Sequence, residues 1–70
     1  MTKYEIIIDS NKIHIVKYIE IIDISYFSIK ILLYDREINV IGESLIIRKL
    51  DSKELIIDGM IKGIEFIEKQ

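Results

Sequence analysis

The sequence contains no cysteine, no proline and no tryptophan, and it has one histidine and three glycines. Without cysteine there are no disulfides and no thiolate metal sites. One histidine does not make a structural zinc site. Three scattered glycines form no phosphate loop. Charge of one sign is also scarce: ten basic and twelve acidic residues leave a net charge of −2, which gives no electrostatic reason to bind nucleic acid. No apolar run exceeds a few residues, Ile6 to Ile8 being typical, so no transmembrane helix is expected. The start, MTKYEIIIDS, has a single lysine and no long apolar core and does not read as a signal peptide. These absences make a soluble cytoplasmic protein the expectation.

What is present is aliphatic. Half of the 70 residues are hydrophobic, and isoleucine supplies most of them. Its side chain is stiff at χ1 and suits a pleated surface. Seventy residues make one domain, 1–70. A chain this short buries only about 60% of the surface its unfolded form exposes. With no disulfide or metal available, stability must come from a dense aliphatic core, from self-association, or from both.

Alternation and turn residues predict the strands. Tyr4-x-Ile6-x-Ile8 gives a strand near 3–9, and Asp9-Ser10-Asn11 turns it into a second near 12–18. The stretch 19–25 alternates too, although Ile15, Ile19 and Ile22 would also suit one helix face; isoleucine dominance favours strand. A turn follows at Ser25 to Ser28, with Tyr26 or Phe27 folding back over the core. Further strands are expected at 29–34, 37–42, 45–50, 54–59 and 61–67. Asp35-Arg36-Glu37, Gly42-Glu43-Ser44 and Asp51-Ser52-Lys53 are the turns between the first four of these. The end, Glu68-Lys69-Gln70, should fray. The fold class is therefore all-β: a small antiparallel meander or roll, or a sandwich, of about seven or eight short strands. Sequential neighbours should pair. The pattern aliphatic-x-aliphatic-x-Gly occurs twice, as Ile38-x-Val40-x-Gly42 and Leu55-x-Ile57-x-Gly59. Gly42 and Gly59 read as positions of positive φ or of close backbone approach. Gly63, between Ile61 and Ile64, reads as a bulge that leaves both isoleucines pointing inward.

No constellation points to catalysis. Asp35, Glu37, Glu43, Asp51, Glu54 and Asp58 fall at turns or on wet strand faces, with nothing to split their pKa values. His14, between Ile13 and Ile15, reads as an exposed strand histidine with no nucleophile in a motif nearby. The aromatics Tyr4, Tyr18, Tyr26, Phe27, Tyr34 and Phe66 read as packing residues rather than a base-stacking platform, which would need a basic groove. No catalytic, cofactor-binding or metal residue is expected. The feature with functional weight is the sheet edge. Unpaired N–H and C=O groups invite strand addition, unless Lys3, Lys17 and Lys30 guard them. The expected partner is another copy of the chain, and the candidate interface residues are Tyr26, Phe27, Lys30, Tyr34 and Arg48. An alternative is a patch of Tyr26, Phe27, Lys30, Arg48 and Lys49 that binds a ligand or an anionic membrane surface.

From Ile13 onward the chain resembles the YabP/YqfC family of sporulation proteins of endospore-forming Firmicutes, closer to the YqfC type. The resemblance runs through Ile13-x-Ile15, Ile19-x-Ile21, Ser25 and Ile29-x-Ile31. It continues through Ile38-x-Val40-x-Gly42-Glu43-x-Leu45-x-Ile47-x-x-Leu50 and closes with Leu55-x-Ile57-x-Gly59-x-Ile61-x-x-Ile64-x-Phe66. It departs from the family at Glu20, where Gly is common, and at Tyr26 and Phe27, where acidic residues or Lys are common. The resemblance implies a non-enzymatic role in spore formation. Its setting would be the mother cell, at the forespore surface, in coat or cortex assembly with other sporulation proteins.

Overall fold

The computed structural model describes residues 4–9 and 11–68. Lys3, the turn residue Ser10 and the fraying pair Lys69-Gln70 lie outside the described residues. The chain forms six strands and no helix among those residues: β1 (Glu5–Asp9), β2 (Lys12–Val16), β3 (Glu20–Ile24), β4 (Ser28–Leu32), β5 (Arg36–Leu50) and β6 (Glu54–Glu68). They make one antiparallel sheet in the order β1-β2-β6-β5-β4-β3. The segment β3 to β6 is a meander. The β1–β2 hairpin docks on β6 rather than on its sequence neighbour β3.

The strand count is lower than the seven or eight expected, and the reason is local. Gly42-Glu43-Ser44 does not reverse the chain; it lies inside the single strand β5. Likewise 54–59 and 61–67 are one strand, β6. Fifteen residues of strand would extend about 50 Å if straight, yet the molecule's longest dimension is 31 Å. Bulges bend the hairpin instead. The β5–β6 register shifts between Ile41 and Gly42, between Glu43 and Ile46, and between Ile47 and Lys49. At the first shift Ile41 pairs with Gly63 and Gly42 with Ile61, so Lys62 is the extra residue on β6. Ile61 and Ile64 consequently both pack against the core. Ser44 contributes a positive φ of 53° at the second shift. Each bulge adds local twist and re-aims the strand.

The bend divides the sheet into two halves that share one core. In one half β2 pairs with the start of β6, setting Ile13 against Ile57 and Ile15 against Leu55. In the other β4 pairs with the start of β5, setting Ile29 against Val40 and Ile31 against Ile38. These eight residues, with Leu33 and Leu45, are the buried core. The two aliphatic-x-aliphatic-x-Gly patterns thus do the same job twice. After its last pairing with the short strand, each long strand reaches its glycine. Gly59 N–H then donates to Asn11 C=O, and Gly42 N–H to Phe27 C=O, at 3.2 and 3.0 Å. Both acceptors sit in the turn of the adjoining short hairpin. Two tyrosines repeat the theme: Tyr4 OH donates to Asp35 Oδ1 at 3.0 Å, and Tyr18 OH to the Asp51 carbonyl.

The glycines differ in what they require. A Cβ on Gly42 would lie 2.1 Å from the Met60 carbonyl oxygen, so this position needs close approach without positive φ. Gly59 has φ 139°, and a Cβ there would lie 2.8 Å from the Ser44 carbonyl oxygen. Gly63 has nothing within 4 Å of the corresponding point.

Candidate functional site

The lengths of the strands decide where backbone is left unpaired. β2 and β4 have five residues each, while β5 and β6 have fifteen. β4 covers β5 only over Glu37–Ile41, and beyond the bond from Leu45 N–H to the Tyr26 carbonyl β5 has a neighbour on one side only. β2 covers β6 only over Glu54–Asp58, and residues 60–68 pair with β5 alone. Together with the outer sides of β1 and β3, the described residues present four unpaired edges.

Two of the expected lysine guards, Lys17 and Lys30, do not stand at these edges, and the third, Lys3, lies outside the described residues. Lys17 occupies the β2–β3 connection with φ 66°, its N–H bonded to the Lys53 carbonyl, and Lys30 lies on the inner strand β4. One edge is blunted by another device. β3 carries a bulge at Ile22, between the Ile21–Ile31 and Asp23–Lys30 pairs, and a bulge obstructs strand addition. β1 pairs with β2 in unbroken register.

Large apolar side chains cluster along the edges. Ile7 and Ile8 on β1, Ile22 and Ile24 on β3, Ile46 and Leu50 on β5, and Met60, Phe66 and Ile67 on β6 are all exposed. An open groove runs where the end of β1 meets the emerging edge of β6, lined by Ile8, Asp9, Ile61, Lys62, Gly63 and Ile64. A second depression, where the β3–β4 turn meets β5, is lined by Tyr26, Phe27, Glu43, Ser44 and Ile46.

Of the five candidate interface residues, the structure brings Tyr26 and Phe27 together. Neither folds over the core as one was expected to; they are 72% and 66% exposed. The cause is the turn itself. Ser25 Oγ accepts hydrogen bonds from the N–H groups of Phe27 and Ser28 at 3.2 and 3.0 Å, and Ser25 N–H donates to Ser28 C=O. That tight loop directs both aromatic rings to solvent. Lys30, Tyr34 and Arg48 line no part of this depression. Tyr34 is exposed past the far end of β4. Arg48 Nε donates to Asp58 Oδ2 at 2.8 Å. Ile46 and the β6 edge were missed by sequence reasoning. The available signal was the mixture of apolar residues on both faces of the last strand, at Met60, Ile61, Ile64, Phe66 and Ile67.

The charged residues pair among themselves. Lys49 Nζ donates to Glu54 Oε2 at 2.7 Å, and Lys62 Nζ lies 3.0 Å from Glu43 Oε2. The basic spot at Arg48 and Lys49 is therefore matched by carboxylates. Such exposed pairs contribute little individually. His14 is half-buried rather than fully exposed; its Nε2 lies 3.7 Å from Glu54 Oε1 and makes no hydrogen bond. No group of three or more His, Cys, Asp or Glu among the described residues could hold a metal ion.

Asp51 has a defined electrostatic role. Its Oδ1 accepts hydrogen bonds from Lys53 N–H at 2.9 Å and Glu54 N–H at 2.8 Å, closing the β5–β6 turn. These two bonds, reinforced by the Lys49 ammonium, hold its carboxyl below the ordinary carboxylate value. A depressed folded-state pKa stabilises the fold above the unfolded-state value and ceases to do so as pH falls through the folded-state value. The acid limb of the stability curve, below about pH 4, should accordingly be shallower in Asp51→Asn, which keeps an acceptor and loses the titration. Thermal melts between pH 2 and 6 check this; parallel curves for the two proteins would refute the assignment.

No family model, curated protein or solved structure matches this chain.

Proposed function

We propose that this chain is a non-enzymatic binding or scaffolding module of sporulation that works by strand-edge contact and self-associates. The observation that carries the reading is the coincidence of unpaired backbone with exposed aliphatic and aromatic side chains on the same strands. Backbone groups supply affinity in strand addition, and alternate side chains supply specificity. Association also stabilises a chain whose small size leaves much of its apolar surface exposed. The setting, in the mother cell at the forespore surface during coat or cortex assembly, rests on the resemblance to the YabP/YqfC family alone. The membrane-surface alternative is the weaker reading, because Arg48 and Lys49 are matched by Asp58 and Glu54.

Size-exclusion chromatography with light scattering is expected to show a concentration-dependent oligomer. Tagged protein in sporulating cells is expected to locate at the forespore and to co-purify with other sporulation proteins. A strict monomer at high concentration with no co-purifying protein would overturn the reading.

A further inference from the structure

We propose that the edge of β6 over residues 64–68 is the surface on which a second copy of this chain adds, strand against strand and antiparallel about a twofold axis. This rests on the self-association reading above and specifies the edge it uses.

Charge and regularity separate the four edges. A twofold through Ile7, the centre of β1, would set Glu5 opposite Asp9 of the other copy, like charges directly opposed being destabilising, and a twofold through Ile6 or Ile8, which avoids this, leaves only three residues of the strand paired. β3 is bulged at Ile22 and carries Glu20 and Asp23. The free part of β5 is bulged at Arg48, the residue skipped between the Ile47 and Lys49 pairings. A twofold through Arg48 or Lys49 opposes two cations. β6 has neither difficulty. Its free edge is the longest, and its one bulge, at Lys62, lies near the start. From Gly63 to Glu68 it pairs with β5 in unbroken register.

That regular stretch reads Gly-Ile-Glu-Phe-Ile-Glu and is self-complementary. A twofold through Phe66 sets Phe66 against Phe66, Glu65 against Ile67 and Ile64 against Glu68. No carboxylate then faces another. An isologous contact of this kind closes at two copies. The side chains it would cover are those left open in the single chain: Phe66 is 53% and Ile67 41% exposed. Opposed aromatic pairs add to the area they bury.

Because the natural chain has no cysteine, single cysteines report the pairing directly. Directly opposed residues of an antiparallel pair have Cα atoms within disulfide range. Phe66→Cys is expected to give a covalent dimer on mild oxidation, whereas Ile7→Cys, Ile22→Cys and Arg48→Cys remain monomeric on a non-reducing gel. An equimolar mixture of Glu65→Cys and Ile67→Cys, two milder changes, should cross-link faster than either alone. Phe66→Lys should weaken association by about tenfold through lost aromatic contact and opposed ammoniums. An oligomeric wild type whose Ile7→Cys, Ile22→Cys or Arg48→Cys variant cross-links, while Phe66→Cys and the mixed pair do not, would overturn the β6 assignment and leave the self-association reading standing. A wild-type chain that stays monomeric in light scattering would overturn both.

Discussion

Replacing Gly42 with alanine is expected to destabilise the protein by about 3 kcal/mol or more, at the upper end of what overpacking does. The added Cβ would sit 2.1 Å from the Met60 carbonyl oxygen and 3.0 Å from Leu45 Cδ2. The side chain can turn away, but the carbonyl belongs to the ladder that pairs Glu43 with Met60. Relief therefore requires the two longest strands to separate where they cross. A domain of this size has a total stability of only about 3.5–10 kcal/mol, so the variant should be largely or wholly unfolded in moderate urea. Gly59→Ala combines a 2.8 Å approach to the Ser44 carbonyl with φ 139°, and should be damaging for two reasons. Gly63→Ala is the control. Nothing lies within 4 Å of its Cβ position, and removing the entropy of glycine from a strand favours folding by roughly 0.5–1 kcal/mol. Urea midpoints for the three variants check the ordering. A Gly42→Ala midpoint equal to wild type would contradict the close crossing of β5 and β6.

Ile31→Ala should be comparably severe by another mechanism. Ile31 is fully buried on β4, between Ile21 of β3 and Ile38 of β5. Truncation removes the transfer free energy of the lost carbons and leaves a cavity in a core of ten buried side chains among the described residues, a combination that costs about 2–5 kcal/mol. At about 4–8 °C per kcal/mol in a domain this small, the melting temperature should fall by about 10 °C or more. Ile31→Val should cost only about 0.5–1.5 kcal/mol. Ile24, on the edge strand β3 and 55% exposed, should tolerate alanine within about 0.5 kcal/mol. Thermal melts of the three variants give the ranking. Equal losses at Ile31 and Ile24 would contradict the division between core and edge.

The part of the fold legible in the sequence was the part governed by local alternation. Ile13-x-Ile15, Ile29-x-Ile31 and Leu55-x-Ile57 point one way along their strands, and all six are buried. The strand ends near Asn11, Ser25 and Asp51 were also legible from their turn residues, and the side chains of Ser25 and Asp51 close their turns. The continuity of β5 through Gly42-Glu43-Ser44 was not. Gly, Glu and Ser form a turn in most contexts, and here the long-range contact with Met60 converts the same residues into a bend. Nor was the docking of β2 on β6 legible, since local patterns carry no information on pairing across forty residues. The free edges followed from that hidden pairing. They exist because short strands cover only the first third of long ones, a mismatch visible only once β5 and β6 are each seen as one strand. Tyr26 and Phe27 could be read as candidates from their apolar character in a turn; Ile46 beside them could not.

Backbone hydrogen exchange over a dilution series tests the central claim, that this chain acts through unpaired strand edges. Amides of residues 37–41, paired on both sides within one chain, should be protected at every protein concentration, slowing further only by what association adds to global stability. Amides of β6 between 64 and 68 that point away from β5 should be protected in concentrated solution and lose that protection on dilution. Exchange along β6 that is the same at every concentration, with no other edge taking its place, would contradict the account.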